Sequence, residues 1–265
     1  KMWLDMLDVT CVPLATGADM LPDPAEAARL ITPRTRAIVL VTPNNPGGVE
    51  YPAELVRAFA DLAATHGVRL ILDETYRDFD SRSGAPHDLF ADPNWRETVI
   101  QLYSFSKAYR LTGHRVGAMI AHPDTIAEVE KFLDTVTICP NQLGQHAALW
   151  GMQNLGQWLA KERAEILDRR TAIADHVAPL QDRGWRLKGV GAYFAYLEHP
   201  FALPSMDLAP ALVRDGHILT LPGTLFTLPD DPMGARHLRI AFANVDRAGI
   251  AQMFDRMTRF DAPKR

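Results

Sequence analysis

Short apolar runs alternate with amphipathic stretches along the first half of the chain, a pattern that predicts strands separated by helices. Residues 37–41 form a continuous apolar run rich in β-branched side chains, which predicts a buried strand. The turn-forming stretch 42–48 follows it and predicts a loop. Residues 52–66 have helical spacing of their apolar positions, and Gly67 is well placed to cap the C-terminus of that helix.

Three further apolar runs, at residues 68–72, 98–103 and 116–121, predict three more strands of the same unit. Strands separated by helices or long loops are typical of an α/β domain with a mainly parallel sheet. A strand-like run at residues 9–14 precedes all of them.

The second half of the chain has a different pattern. Residues 124–184 are mostly helical in character, and they include a long charged helix predicted at 159–180. Short strands at 193–197, 217–221 and 237–243 and a final helix at 245–260 are predicted to follow. The chain is therefore expected to contain a large unit over residues 1–155. A connecting helix and a smaller α+β unit are expected over residues 156–265.

Composition excludes several classes without indicating a chemistry. The chain has 265 residues, and its 28 basic against 32 acidic side chains give a formal net charge of −4. Nucleic-acid and anionic-membrane binding usually require a basic excess, so neither partner is expected. No run approaches the about 18 apolar residues of a membrane span. Cys11 and Cys139 form no CxxC motif, which predicts two buried thiols in a reducing cytoplasm.

Polar residues follow three of the predicted strands, and such residues meet at one edge of a parallel sheet. Lysine is scarce in this chain, and only Lys107 stands at a strand end; the alternative is an ordinary solvated loop lysine. The histidines lack paired ligand spacing, so no metal site is expected. The candidate residues in chain order are Asn45, Asp73, Tyr76, Ser104, Ser106, Lys107, Arg115 and Arg239.

Four segments resemble, in the same order, the motifs of class I/II aminotransferases, the fold-type I enzymes that use pyridoxal 5′-phosphate (PLP). Residues 104–117 resemble the family's lysine motif, and residues 42–48 resemble its Asn-Pro-x-Gly loop. Residues 70–76 resemble its Asp-x-x-Tyr strand end, and residues 238–243 resemble its C-terminal arginine strand. The resemblance covers nearly the whole chain. It implies a three-layer α/β/α PLP-binding domain with a mainly parallel sheet and a smaller α+β domain.

The resemblance also implies a role for each candidate around the cofactor ring. Lys107 would form a Schiff base with the cofactor aldehyde, and its freed amine would then move a proton between the substrate Cα and the cofactor. Asp73 would pair with the pyridine nitrogen and keep it protonated. Asn45 and Tyr76 would hydrogen-bond the ring oxygen, and a cis peptide is expected between Asn45 and Pro46.

The resemblance also implies which residues bind the cofactor phosphate and the substrate carboxylate. Ser104 and Arg115 would bind the phosphate, with Ser106 as a further candidate, because the planar guanidinium offers two parallel hydrogen bonds. Arg239, together with Asn45, would bind the substrate α-carboxylate by the same geometry.

The implied activity is the transfer of an amino group between an L-amino acid and a 2-oxo acid, carried out by a homodimer. Residues 134–138 contain no basic side chain, which argues against strict dicarboxylate specificity through that stretch. The chain is expected to be an N-terminally truncated form, because it contains no counterpart of the family's N-terminal phosphate turn.

Three alternatives to this activity stay open. One is another fold-type I activity, such as a β-lyase, decarboxylase or synthase. The second is an aminotransferase-like effector domain of a transcription regulator. The third is a catalytically silent fold.

Overall fold

The computed structural model describes residues 2–229 and 231–264, and it contains two four-stranded sheets. The first sheet has the order β1-β2-β3-β4 and consists of β1 (Ala37–Val41), β2 (Arg69–Asp73), β3 (Val99–Ser104) and β4 (Gly117–Ile120). The second has the order β5-β6-β8-β7 and consists of β5 (Arg186–Gly191), β6 (Phe194–Glu198), β7 (Leu221–Pro222) and β8 (His237–Ala241).

Helices of very different length surround the sheets. They are α1 (Met2–Met6), α2 (Pro24–Leu30), α3 (Ala53–His66), α4 (Pro123–Val136), α5 (Gln142–Asn154), α6 (Gly156–His176), α7 (Ala178–Asp182), α8 (Ser205–Gly216) and α9 (Arg247–Arg259). None of these helices is both long and apolar enough to cross a lipid bilayer.

The first sheet is mainly parallel, as expected from the sequence. Strands β1, β2 and β3 run parallel, and β4 is antiparallel to β3. Asp73 pairs in register with Val41 on one side and with Leu102 on the other, so β1 and β2 end level and β3 continues two residues further, to Ser104. Leu70 and Leu72 are fully buried in the core that this sheet forms with α3. The loops that follow these strands therefore lie at the same edge of the sheet.

The second sheet is antiparallel throughout, and its core includes residues that follow the strands of the first sheet. Trp185, Leu197 and Phe254 are almost completely buried in this core. Tyr76 and Phe79, which follow β2, belong to the same cluster of buried side chains. The two sheets are therefore joined by a continuous apolar contact close to the ends of the parallel strands.

The predicted helix at 159–180 is two helices in the structure. Helix α6 ends at His176, and α7 begins at Ala178 with Pro179 in its first turn. Proline lacks the amide hydrogen that a continuing helix needs, so it suits the start of a new helix. The division of the chain at residue 155 stays a prediction.

Two of the predicted strands are wrong. Residues 9–14 form no strand within the described part of the chain; Val9 and Val12 are exposed. The strand predicted at 217–221 is reduced to Leu221–Pro222, because His217 has a positive φ of 53° as the C-cap of α8.

Strand β5 is missing from the prediction, because Lys188, Gly189 and Gly191 break its apolar pattern. The expectation of buried thiols is also wrong, since Cys11 and Cys139 are exposed and free.

Candidate active site

Asp73, the last residue of β2, is held by one of its two carboxylate oxygens. Its Oδ1 accepts hydrogen bonds from the backbone N–H of Thr75 at 3.0 Å and from the Thr75 hydroxyl at 2.7 Å. Its Oδ2 accepts none within residues 2–229 and 231–264. The carboxylate is therefore oriented by its own turn and keeps one oxygen free for a ligand.

Tyr76 lies three residues further along, packed edge-on against aromatic rings of the second sheet. Its ring centroid is 5.5 Å from that of Tyr193 and 5.2 Å from that of Phe194. Burial raises the pKa of the Tyr76 hydroxyl to about 12; the nearby Arg239 opposes this shift and Asp73 adds to it. Tyr76 therefore stays neutral at physiological pH and can donate a hydrogen bond to an anionic oxygen.

Lys107 follows β3 and is partly buried. Its Nζ lies 5.9 Å from the centroid of the Tyr76 ring, on the face of that ring. Among the residues that the structure describes, none forms a hydrogen bond or an ion pair with this amine. Lys107 is thus a lysine at a strand end whose amine has no competing partner.

The loop after β3 also carries the candidate phosphate ligands, which form a chain of hydrogen bonds. The N–H of Ser106 donates to Ser104 Oγ at 3.3 Å. The Thr112 hydroxyl donates to the Ser106 carbonyl at 2.9 Å, and Arg115 donates to the Thr112 carbonyl at 2.9 Å. Arg115 is exposed, and the structure shows no direct contact between its guanidinium and Ser104.

Asn45 and Arg239, which are 194 positions apart in the sequence, form a hydrogen bond in the fold. The guanidinium of Arg239 in β8 donates to Asn45 Oδ1 at 2.7 Å. The Asn45–Pro46 peptide is cis, as expected, and the Thr42–Pro43 peptide is cis as well. The loop after β1 therefore meets the central strands of the second sheet at this point.

Two phenylalanines that the sequence analysis missed enclose Arg239. The guanidinium carbon lies 4.4 Å from the ring centroid of Phe194 and 4.5 Å from that of Phe226. Burial lowers the pKa of Arg239, and the neighbouring Tyr76 opposes this shift. Arginine nevertheless stays charged, and its Nε is buried without a hydrogen-bond partner in the described part of the chain. Phe226 lies on an irregular loop, so no periodicity in the sequence indicated it.

A second set of residues missed from the sequence surrounds Glu74, which follows Asp73. Glu74 is completely buried, and its Oε2 contacts the amide of Gln101 and lies 3.3 Å from the Arg77 guanidinium. The Nε2 atom of His87 is 3.2 Å from Glu74 Oε1. This cluster anchors the end of β2 directly behind Asp73. Two adjacent acidic residues at the end of a strand do not reveal in the sequence which of them is buried.

These residues suit the chemistry of PLP. The free Lys107 amine fits an aldehyde, the open Asp73 oxygen fits a protonated ring nitrogen, and the neutral Tyr76 hydroxyl fits a ring oxygen. Ser104, Ser106 and Arg115 share one loop that fits a phosphate less completely, because Arg115 points at a backbone carbonyl. No group of three potential metal ligands occurs among the described residues.

Comparison with known proteins gives a consistent result. A family model described as "Aminotransferase class I and II" matches residues 6–257. A probable aspartate/prephenate aminotransferase of Thermus aquaticus is 29% identical over 238 residues, which cover 88% of this chain and 58% of that protein. An aromatic amino acid aminotransferase of Streptomyces avermitilis is 34% identical over 209 residues, covering 78% of this chain and 55% of that protein.

Solved structures show the same fold. A mutant of the Thermus thermophilus aspartate aminotransferase superposes with a TM-score of 0.83 at 24% identity, covering 97% of this chain and 65% of that one. An N-succinyldiaminopimelate aminotransferase of Mycobacterium tuberculosis also reaches 0.83, at 22% identity. The chain spans somewhat more than half the length of the curated relatives that it matches.

Proposed function

We propose that this chain, which belongs to the class I and II aminotransferase family, forms part of a transaminase that moves an amino group between an L-amino acid and a 2-oxo acid. The observation that carries the proposal is the 2.7 Å contact between Arg239 and Asn45. This contact places the Arg239 guanidinium, which suits a carboxylate, beside the loop that borders Lys107, Asp73 and Tyr76. A substrate held there by its carboxylate would present its amine to the strand ends.

PLP, the cofactor of this family, supplies when bound an aldehyde for an amine and a ring that accepts electrons. Lys107 would hold it covalently through Nζ, and Asp73 would bind the ring nitrogen. Asn45 and Tyr76 would bind the ring oxygen. The phosphate would be held by residues of the loop after β3, namely Ser104, Ser106 and Arg115.

Three residues would act on protons in this site. The Lys107 amine would take the proton from the substrate Cα and deliver it to the cofactor carbon C4′. This role requires an amine close to both carbons and without a competing hydrogen-bond partner. The Asp73 carboxylate would keep a proton on the ring nitrogen, since a negative charge beside that atom stabilises its protonated form. Tyr76, whose pKa is about 12, would remain a hydrogen-bond donor throughout.

Arg239 would orient the substrate rather than react with it. A guanidinium binds a carboxylate through two parallel charge-assisted hydrogen bonds, which fixes the direction of the bond from the carboxylate to Cα. The two phenylalanine rings on its faces prevent it from turning away, and they keep water from those faces. The unpartnered Nε supports this role, because a buried donor gains from a ligand that accepts its hydrogen bond.

The proposal includes a cytoplasmic homodimer. Helices α4 and α5 and the turn between them expose large apolar side chains that a partner surface would cover; they are Phe132, Val136, Ile138, Leu143, Leu149, Trp150 and Met152. Monomeric proteins rarely expose apolar patches of this kind. The free, exposed cysteines support a reducing compartment. Light scattering after size exclusion would measure the mass, and a monomer at micromolar concentration would contradict the dimer.

The test of the proposed activity is spectroscopic and chemical. The natural full-length protein, purified with PLP, is expected to show the visible absorption band of lysine-bound cofactor. A panel of amino acids should bleach that band and release the matching 2-oxo acids, and a second 2-oxo acid should restore it. Release of ammonia or carbon dioxide instead would favour a lyase or a decarboxylase.

Matched lysine variants give the control. Lys107→Ala should lose the band and slow the amino transfer by about 10³-fold or more, because the covalent link and the proton carrier are lost together. Lys161→Ala, which changes an exposed lysine on α6, should behave like the wild type. A band that survives Lys107→Ala unchanged would contradict the assignment of Lys107.

A further inference from the structure

The loop between β1 and α3 lies against strand β5 with no side chain between the two backbones. A Cβ atom placed on Gly189 would lie 2.4 Å from the carbonyl oxygen of Gly47. A Cβ on Gly191 would lie 2.2 Å from the carbonyl oxygen of Gly48, and one on Gly48 would lie 2.6 Å from the Gly191 nitrogen. Only glycine allows this approach, because each of these distances is far shorter than a real Cβ contact.

The two elements in this contact are those that lead to Asn45 and Arg239. Asn45 lies in the loop itself. Strand β5 pairs with β6, and β6 pairs with β8, where Tyr196 is opposite Arg239. The loop thus touches the second sheet twice, once through the glycine backbones at β5 and once through the 2.7 Å hydrogen bond from Arg239 to Asn45.

A charged pair connects the end of the same loop to helix α6. Arg170 of α6 donates to Glu50 Oε1 at 2.8 Å. Ser81 donates its backbone N–H to the same Oε1 at 2.9 Å. Glu50 is nearly buried, at 10% side-chain exposure, so this pair is not an ordinary surface ion pair.

We propose that Gly48, Gly189 and Gly191 are positioning residues for Arg239. Their backbone contact sets the distance between the loop that carries Asn45 and the sheet that carries Arg239. Two backbones in contact have no rotamers through which to relax, so the distance is more rigid than side-chain packing would make it. The inference rests on the proposed role of Arg239 in binding the substrate carboxylate.

Gly189→Ala isolates this effect. Gly189 does not have a positive φ, unlike Gly48 with a φ of 76°, so the alanine adds a methyl group without backbone strain. That methyl group must push the loop and β5 apart. Of the residues proposed to bind PLP, only Asn45 lies in this loop, whereas Lys107, Asp73 and Tyr76 stand at strand ends of the other sheet. The affinity for PLP should therefore fall much less than the affinity for the substrate carboxylate.

The expected result is a separation of KM from kcat. A loss of carboxylate binding that is equal in the ground state and the transition state raises KM and leaves kcat unchanged. A displacement of about 1 Å can cost up to about 100-fold, so we expect KM for the amino acid and for the 2-oxo acid each to rise about tenfold or more. Simple destabilisation would lower the amount of active enzyme without raising KM.

A second measurement does not depend on catalysis. In the wild type the N–H of Gly48 donates to the Asn44 carbonyl at 2.7 Å, and the N–H of Asn44 donates to the Val49 carbonyl at 2.8 Å. Hydrogen exchange at these amides should be faster in Gly189→Ala, both with and without PLP. Gly156→Ala is the matched control, because no atom lies within 4 Å of its added Cβ. This control should leave the exchange and KM unchanged.

Each outcome decides the proposal. A folded Gly189→Ala protein with unchanged KM would overturn it. If that variant does not fold, Arg170→Met weakens the loop at its other end. KM should then rise about fivefold, because the loss of a partly buried charged hydrogen bond costs about 1 kcal/mol. An unchanged KM would again overturn the proposal. If the wild type transfers no amino group, the proposed function fails by itself. Hydrogen exchange at the Asn44 and Gly48 amides then still tests the backbone contact between the loop and β5. Faster exchange in Gly189→Ala supports that contact, and unchanged exchange overturns it.

Discussion

At the scale of single residues, the arginine of β8 is the best-defined feature of the site. Its guanidinium lies between Phe194 and Phe226, at 4.4 and 4.5 Å from their ring centroids, and it donates to Asn45. A cation between two aromatic faces gains about 0.5–2 kcal/mol per face, more when water is excluded. The geometry of Arg239 is therefore set before any carboxylate arrives.

Phe226→Leu tests that enclosure. Leucine keeps the loop apolar but removes one aromatic face, so KM for both substrates should rise by about 5- to 30-fold, the equivalent of about 1–2 kcal/mol. Steady-state kinetics with an amino acid and a 2-oxo acid would measure the change. Phe226→Tyr should restore most of the affinity, and Phe90→Leu, at an exposed position between β2 and β3, should have no effect. A KM that stays at the wild-type value in Phe226→Leu would refute the role of this ring.

Candidate site residues could be named from the sequence where a polar side chain stands at the end of a predicted strand, and their roles stay predictions. Lys107 could be singled out because it follows an apolar run and lysine is scarce in this chain, and Asp73 because it ends an apolar run three residues before Tyr76. Phe226 and Glu74 could not be identified, because neither belongs to a periodic pattern. Glu74 in particular is completely buried beside a partly buried neighbour of the same charge, and only the packing of Gln101 and His87 explains that difference.

At the scale of elements, helix α3 illustrates how local chemistry sets a boundary. It ends at His66, and Gly67 takes a φ of 65° as its C-cap. The backbone N–H of Gly67 bonds to the last turn of the helix, which satisfies carbonyl groups that would otherwise lack partners. Strand β2 starts directly afterwards at Arg69, so the cap also directs the chain back to the sheet.

Gly67→Ala should reduce stability by about 1 kcal/mol, because a left-handed backbone costs about 1–2 kcal/mol for a residue with a Cβ. The added methyl group itself meets no atom within 4 Å, so the cost is conformational and not steric. The midpoint of urea unfolding would measure it. Gly67→Asn should lose less, and an alanine variant as stable as the wild type would show that the cap does not limit stability.

At the scale of the whole molecule, buried tyrosines make the stability of the fold depend on pH. Burial raises the pKa of Tyr51, Tyr76 and Tyr196 to about 12 each, from an ordinary value of 10.0. They are distributed over both sheets: Tyr51 packs in the core of the first sheet, Tyr76 between the sheets, and Tyr196 lies in the second sheet. The whole fold therefore responds when these hydroxyl groups ionise.

The free energy of unfolding should fall as the pH rises from about 10 to about 12. Unfolded phenols lose their protons near pH 10 and folded ones retain them, so the folded state binds more protons in this interval. The stabilisation that the buried tyrosines contribute is complete below pH 10. It is lost as the pH rises past their folded-state pKa of about 12. Urea unfolding at a series of pH values would measure the slope. Tyr51→Phe should reduce the slope, and an equally steep decline in that variant would contradict the assignment.

The sequence by itself determined the fold class, the positions of most elements, and the order in which lysine, aspartate and arginine occur. These features depend on local propensity, on turn residues and on spacing, all of which are properties of the sequence itself. Only the tertiary structure decided that Arg239 reaches Asn45 across 194 positions, that two phenylalanines enclose it, and that three glycines let a loop lie on β5. Contacts of this kind depend on distances between elements, and no local pattern specifies those distances.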